Sequence, residues 1–400
     1  MELVAQRILN LSESETLAMT RRSRELAAEG IDVINLSIGE PDFNTPEPIK
    51  QAAIKAIHDN KTHYPPVPGY IELRKAICHK LKRDNNLDFT PEQIVVSTGA
   101  KHSIANVIIS LVNAGEEVVL PAPYWVSYKE MVKLARGVAV FVPATVETDF
   151  KITPEQLEAA ITPKTKVVLY SSPCNPSGSV YSREELEALA RVVARHPQVV
   201  IISDEIYELI NFDCKHESIA QFDFIRNQVV VVNGVSKGFA MTGWRLGYLA
   251  APLWIAKACD KLQGQMTSAT SSISQYAAIE AMLTEPGKSP DIRDMVFTFR
   301  QRRNKMLDLL KTIPGLVTNV PKGAFYFFPD VTFYFGKKYG ERTISNACDL
   351  ANYLLEVGHV ALVPGDAFGN PDCIRISYAT SMELLTEAVE RMKKALSELK

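Results

Sequence analysis

Short apolar runs punctuate the chain at 94–96, 118–120, 138–142, 167–170, 199–202 and 229–232. Runs apolar on both faces suit buried, mainly parallel strands, which helices cover from two sides. Between most of them lie stretches with apolar residues at helical spacing, among them 104–112 and 183–195. Strand and helix in alternation predict an α/β layer structure. Upstream, Thr45 followed by Pro46 predicts an N-cap with proline at the first helical position. Ile49, Ala53, Ala56 and Ile57 would form that helix's inner face, and a second helix is predicted over 71–83. A charged amphipathic stretch at 293–311 predicts a long helix. Beyond it come a strand near 323–328, a helix near 345–357, a strand at 373–378 and a final helix. The predicted division is a large domain over 46–292, with a mainly parallel central sheet flanked by helices. The smaller α/β domain is built from both ends, 1–45 and 293–400.

In open parallel sheets, ligands bind outside the carboxyl ends of the strands. The residues that follow each apolar run are therefore the candidates for chemistry. After 94–96 come Ser97, Thr98, Gly99, Ala100 and Lys101, a small-residue turn opening a helix. Free backbone N–H groups at such a helix start suit an anion, though a plain tight turn would read the same way. After 167–170 comes Asn175 between Pro173 and Pro176, a turn that also aims one amide. After 199–202 come Asp204 and, three residues on, Tyr207. Asp204 is either a helix N-cap or a carboxylate that some charge must satisfy. After 229–232 come Ser236, Lys237 and, eight residues beyond the lysine, Arg245, among Phe239, Met241 and Trp244. That apolar company argues against a merely solvated lysine. Together, an amide, a carboxylate with a tyrosine, a lysine and an arginine converge on one sheet edge beside an anion site. Pyridoxal phosphate needs such a set: an amine for its aldehyde, a carboxylate for its pyridine nitrogen, and a helix start with a cation for its phosphate.

Composition narrows the alternatives. The chain has 400 residues, 46% apolar and 22% charged, with 44 Lys and Arg against 46 Asp and Glu. About 150 residues per domain gives roughly two to three domains. A net charge of −2 argues against a general nucleic-acid or membrane-surface binder. No apolar run is long enough to cross a membrane, and the opening MELVAQRILNLSESE has no basic stretch before an apolar core, so no secretory signal is predicted. Six cysteines without a C-x-x-C pattern predict a reduced, cytoplasmic protein, and no metal site is predicted from the histidine and cysteine spacings. G-x-x-x-x-G-K-[ST] and G-x-G-x-x-G are both absent.

Ser236-Lys237-x-Phe239-x-Met241-Thr242-Gly243-Trp244-Arg245-x-Gly247-Tyr248 and Asn175-Pro176-x-Gly178 resemble the signature segments of the fold-type-I pyridoxal-phosphate aminotransferases. The likeness runs from Gly39-Glu40-Pro41-Asp42-Phe43 to Arg375-Ile376-Ser377-Tyr378-Ala379 and is nearest the bacterial gamma subgroup of class I aspartate aminotransferases. The resemblance implies that Lys237 is the Schiff-base lysine and proton shuttle, and Asp204 the partner of the pyridinium nitrogen. It implies that Asn175 and Tyr207 bind the cofactor's phenolic oxygen and that Trp125 stacks on its ring. Gly99, Ala100, Ser236 and Arg245 would cradle the phosphate. Arg375 would grip the substrate α-carboxylate, and Gly39, Trp125 and Asn175 would line the substrate site. Tyr64 would reach the phosphate from the other subunit, implying a homodimer with shared sites.

The implied reaction is ping-pong transfer of an amino group from L-aspartate to 2-oxoglutarate, giving oxaloacetate and L-glutamate. Dicarboxylate-specific relatives carry a lysine where Lys101 stands, although a structural or surface lysine is the plain alternative. Relatives that also use prephenate carry a basic residue about where Ser12 stands; the acidic segment here, with Glu13 and Glu15, puts that activity in doubt. Other readings are an aminotransferase for aromatic amino acids, alanine or prephenate, a carbon–sulfur lyase, or a non-catalytic cofactor-binding regulator. The last normally adds a DNA-binding module, for which the forty or so residues before Gly39 leave little room.

Overall fold

The structure is a computed structural model and describes residues 3–13 and 15–400; Met1 and Glu2 of the opening segment, and Ser14 of the acidic one, lie outside the described residues. Seven strands form the main sheet, in the order Ile94–Ser97, Gly247–Ala250, Val229–Gly234, Val200–Asp204, Thr165–Ser171, Glu117–Ala122 and Val138–Pro143. All run parallel except Gly247–Ala250, which pairs antiparallel with both its neighbours. The central strands are buried on both faces, as their apolar runs predict. Helices Glu47–His58, Ile71–Asn85, Arg183–Val193 and Ser272–Leu283 share one core with the sheet; Ala100–Leu111, Ser127–Leu134 and Leu253–Met266 share the core on its other face. No helix among the described residues is long and apolar enough to cross a membrane.

A further core gathers Ile34 and Leu36 with residues of the helices Pro290–Leu310, Ala347–Glu356 and Met382–Ser397. Its three-stranded antiparallel sheet runs Val363–Pro364, Ile374–Ser377, Tyr326–Phe327. Ile34–Asn35 pairs parallel with Val360–Ala361, stitching the two ends of the chain together. Ile206, Tyr207, Ile210 and Phe212 also enter this core, so the turn after Asp204 is packed from both units.

Several local expectations are corrected. Thr45 caps no helix: the helix starts at Glu47 behind Pro46. The Thr45 hydroxyl instead donates to the Ala240 carbonyl at 2.9 Å and accepts from the Trp244 indole at 3.1 Å. Ile57 is 54% exposed, while Ile49, Ala53 and Ala56 are buried. No α-helix follows Asp204; its Oδ1 accepts the Ile206 N–H at 3.2 Å in a tight turn. Val138–Pro143 is a sheet edge, with Val138 and Phe141 about half exposed, rather than a strand covered on both faces. The antiparallel strand Gly247–Ala250 was not predicted. Its Gly247 is needed because a Cβ there would collide with the backbone at Gly99 and Ala100.

Candidate active site

The carboxyl ends of the parallel strands and the second core enclose a cavity of about 280 Å³. Gly39, Ala100, Lys101, Trp125, Asn175, Asp204, Tyr207, Ser236, Lys237, Arg245 and Arg375 all line it. Two sequence-predicted residues do not. Gly99 sits just behind the wall, at the cap of the helix Ala100–Leu111 with φ 89°. A Cβ on it would run into the Arg245 guanidinium, so glycine lets that arginine lie against the helix start. Tyr64 is 97% exposed and does not line this chain's own cavity.

One pole of the cavity is built for an anion. The helix Ala100–Leu111 points its unpaired N–H groups there. Ser236 and Arg245 line the same space, the arginine held by Nη1 to the Thr242 carbonyl at 2.8 Å and by Nη2 to the Thr98 carbonyl at 3.3 Å. Both partners are neutral, so the cation keeps its charge for a ligand.

Arg375 makes a second such pole and is 2% exposed. Its Nη1 donates to Asn175 Oδ1 at 3.0 Å and its Nη2 to the Ser37 carbonyl at 2.6 Å, while Nε has no partner. The Tyr326 and Phe368 rings lie 4.7 and 5.0 Å from its guanidinium carbon. A buried guanidinium with no carboxylate partner is costly unless a ligand supplies the anion.

Lys237 donates from Nζ to the Gly39 carbonyl at 2.6 Å. Burial lowers its amine to about 8; Glu40 works against that fall, and Arg375 and Arg245 add to it. An amine in that range is neutral often enough near neutral pH to act as nucleophile and base. Asp204 is 4% exposed, and burial raises its carboxyl to about 6, against the hydrogen bond from the Tyr128 hydroxyl at 2.6 Å. The Tyr207 hydroxyl meets that of Tyr326 at 2.7 Å. Trp125 packs edge-on against Tyr128, with ring centres 5.5 Å apart. Lys101 is exposed at the cavity mouth, its Nζ 4.9 Å from the Trp125 ring centre; partial burial and then Arg245 lower its amine.

The lining thus carries four cations, Lys101, Lys237, Arg245 and Arg375, and one carboxylate, Asp204. None of the four forms an ion pair among the described residues. Such a site suits a ligand with a strongly anionic end, a second carboxylate, and a carbonyl within reach of a reactive amine. Tyr128, Tyr326, Thr16 and Leu17 also line the cavity and were not singled out from the sequence. Tyr128 lies one helical step after Trp125, a spacing that could have found it. Tyr326, Thr16 and Leu17 arrive from outside the main sheet, where the strand-end rule gives no signal.

A model of the family described as aminotransferase class I and II matches residues 31–392. A bifunctional aspartate aminotransferase and glutamate/aspartate-prephenate aminotransferase of Petunia hybrida is 46% identical over 99% of this chain and 83% of its own length. The crystal structure of the aspartate aminotransferase from Rhizobium meliloti covers 100% of both chains at TM-score 0.96 and 41% identity. The aspartate aminotransferase from Thermus thermophilus with maleate covers 99% of this chain and 100% of its own at TM-score 0.93 and 38% identity.

Proposed function

The chain belongs to the class I and II aminotransferases and has their fold-type-I α/β architecture, and from that premise we propose that it transfers the amino group of L-aspartate to 2-oxoglutarate, using pyridoxal 5′-phosphate held in this cavity. The observation that carries this reading is the set of unpaired cations around one buried carboxylate and one amine of lowered basicity. When bound, the cofactor supplies an aldehyde that accepts the amino group and a ring that draws electrons from the bonds to the substrate Cα.

The chain's own residues do the rest. The helix start at Gly99 and Ala100, Ser236 and Arg245 bind the phosphate. Asp204 would face the ring nitrogen, where a proton would satisfy a carboxylate that is buried without a cation partner. Asn175 and Tyr207 would hydrogen-bond the phenolic oxygen, and Trp125 would cover the ring. Arg375 receives the α-carboxylate as a planar fork, which fixes the Cα–H bond in register with Lys237. Lys237 would hold the cofactor's aldehyde through its amine and, once the substrate's amino group has displaced it, take the Cα proton on Nζ. Lys101 reads the distal carboxylate. The binding of maleate, a dicarboxylate, by the Thermus thermophilus relative supports that assignment.

Prephenate is left out of the proposed substrates, although the Petunia hybrida relative is bifunctional. The groove adjoining the cavity is lined by Glu13, Glu15, Glu130, Asp366 and Lys129; Arg21 pairs with Glu13 at 2.6 Å and Lys133 with Glu130 at 3.0 Å, which leaves Glu15 and Asp366 without an ion pair among the described residues, and the Ser12 N–H is held by Glu130 at 3.1 Å. An acidic rim repels a large substrate's second carboxylate. We also propose a homodimer, in which Tyr64 of one subunit reaches the phosphate of the other. Its support is the near-complete exposure of Tyr64 and an open groove beside Arg245, lined by Thr98, Trp244 and Thr270. The 46–292 body and the two-ended small body are proposed as its domains, and the cytoplasm as its compartment, consistent with six free cysteines.

The test is a panel of amino acids added singly to the cofactor-loaded enzyme while the cofactor's absorbance is followed. Aspartate and glutamate should convert it fully and release oxaloacetate and 2-oxoglutarate. Alanine or phenylalanine outpacing both would overturn the aspartate reading while leaving the family intact.

A further inference from the structure

Directly behind the cavity, the turn after Asp204 carries two carboxylates that the reaction does not use. Asp204 and Tyr207 line the cavity; Glu205 and Glu208 do not. Glu208 is 7% exposed and receives donors from two other elements. Lys80 Nζ and Asn85 Nδ2 come from the helix Ile71–Asn85, the amide at 2.9 Å. Asn233 Nδ2 comes from the strand Val229–Gly234 at 2.6 Å. The Asn233 carbonyl oxygen Oδ1 in turn accepts the Gly234 N–H at 2.7 Å, two residues before Ser236 and three before Lys237.

Resting on the function proposed above, we propose that Glu208 is a positioning residue. It locks the turn that carries Asp204 and Tyr207 to the strand that delivers Ser236 and Lys237. Two features favour this over a role in stability alone. A desolvated ion pair contributes little net stability, and apolar residues of similar volume often serve a fold as well or better. What such a cluster does give is fixed geometry, since three donors from two separate backbone segments converge on the one carboxylate. The two segments it joins also hold the groups that must contact one cofactor from two sides. Misplacement by about 1 Å in such a site can cost on the order of a hundredfold in rate.

The experiment uses the full chain and pyridoxal 5′-phosphate. Wild type, the double variant Lys80→Met/Glu208→Leu, and Asn233→Ala are stripped and retitrated with cofactor, melted, and assayed with aspartate. The 15N resonance of the cofactor's ring nitrogen reports the proton shared with Asp204. The double variant should melt within a few degrees of wild type. Its kcat should fall about a hundredfold with KM for aspartate little changed, its cofactor affinity about tenfold, and its ring-nitrogen resonance should move. Asn233→Ala leaves the Lys80–Glu208 pair in place and removes the link to the lysine strand together with the Gly234 N–H bond that continues it; it should show the same changes at about a tenth of the size. If the double variant fails to fold, Asn233→Ala decides alone. Normal cofactor affinity, resonance and kcat in either folded variant would overturn the proposal. Failure of wild type to bind cofactor would instead overturn the function on which it rests.

Discussion

On one side of the turn at 204–208, Asp204 and Tyr207 border a cavity where four cations stand without a carboxylate partner. On the other side, Glu205 meets His216 Nε2 at 3.0 Å and Glu208 meets Lys80, all of them buried apart from the half-buried His216. The same few residues of backbone serve both. Charge balance is complete where the protein supplies both signs and incomplete where it supplies one. The incomplete side is the binding site, because a buried cation such as Arg375 is tolerable only if some anion arrives. Two carboxylates four residues apart record the difference. Burial raises Asp204 to about 6. Burial also works to raise Glu208, but Lys80, His216 and hydrogen bonds from Lys80 and Asn85 outweigh it and hold the group at about 2.

The largest expected effect comes from removing the cavity's amine. Lys237→Ala should keep cofactor through the phosphate contacts yet lose turnover by at least about a thousandfold, since nucleophile and proton shuttle go together. Single-turnover absorbance changes with aspartate would measure this, and near-normal rates would dissolve the contrast between the two sides of the turn. Next comes Arg375→Leu. Losing the partner of a buried carboxylate costs about 2–5 kcal/mol, or roughly thirty- to several-thousandfold in kcat/KM, and here for every amino acid alike. A loss confined to dicarboxylates would assign Arg375 to the wrong end of the substrate.

Lys101→Ala should be smaller and selective. Its amine is exposed at the cavity mouth, so the lost charge-assisted bond is worth about 1.4 kcal/mol, or roughly tenfold for aspartate. The constants for alanine and phenylalanine should stay within a few-fold. An equal fall for all substrates at saturating cofactor would mean that Lys101 supports the phosphate instead.

The smallest effect sharpens the comparison itself. In carboxylate-labelled protein without cofactor, 13C resonances should titrate near 6 for Asp204 and near 2 for Glu208. Glu208, lowered in the fold, contributes stability that is present above its ordinary value of 4.5 and lost as pH falls towards 2. Asp204, raised in the fold, acts in the opposite sense: its contribution is present below its ordinary 3.8 and lost as pH rises through about 6. Matching titrations for the two would remove the distinction between an open and a closed charge balance.

Much of this site was legible in the sequence because parallel strands announce themselves as apolar runs and their polar successors face one edge. Asn175, Asp204, Lys237 and the helix start at Ala100 are all strand-end residues. Arg375, Gly39 and the substrate-reading role of Lys101 were reached through family resemblance. What stayed hidden depends on packing between segments distant in sequence. Tyr326 meets Tyr207 only because the second core folds over the turn. Thr45 read as a cap because Thr-Pro is a good helix start, but its hydroxyl is engaged by Ala240 and Trp244, some two hundred residues away. Glu208 and Lys80 carry no signal in the sequence, since nothing local indicates that 128 residues of separation close into one buried pair. The strand Gly247–Ala250 is as short as Ile94–Ser97, but it carries one branched aliphatic residue, Leu249, where the other carries three, so no run of such residues marks it.

The central claim is that the unpaired cations and the amine of Lys237 hold pyridoxal 5′-phosphate. The direct measurement is to load the stripped protein with cofactor, fix it with borohydride, digest, and identify the labelled peptide by mass. The account predicts a single stoichiometric label on Lys237. A label on Lys101, the other amine lining the cavity, or a protein that takes up no cofactor at all, would contradict it.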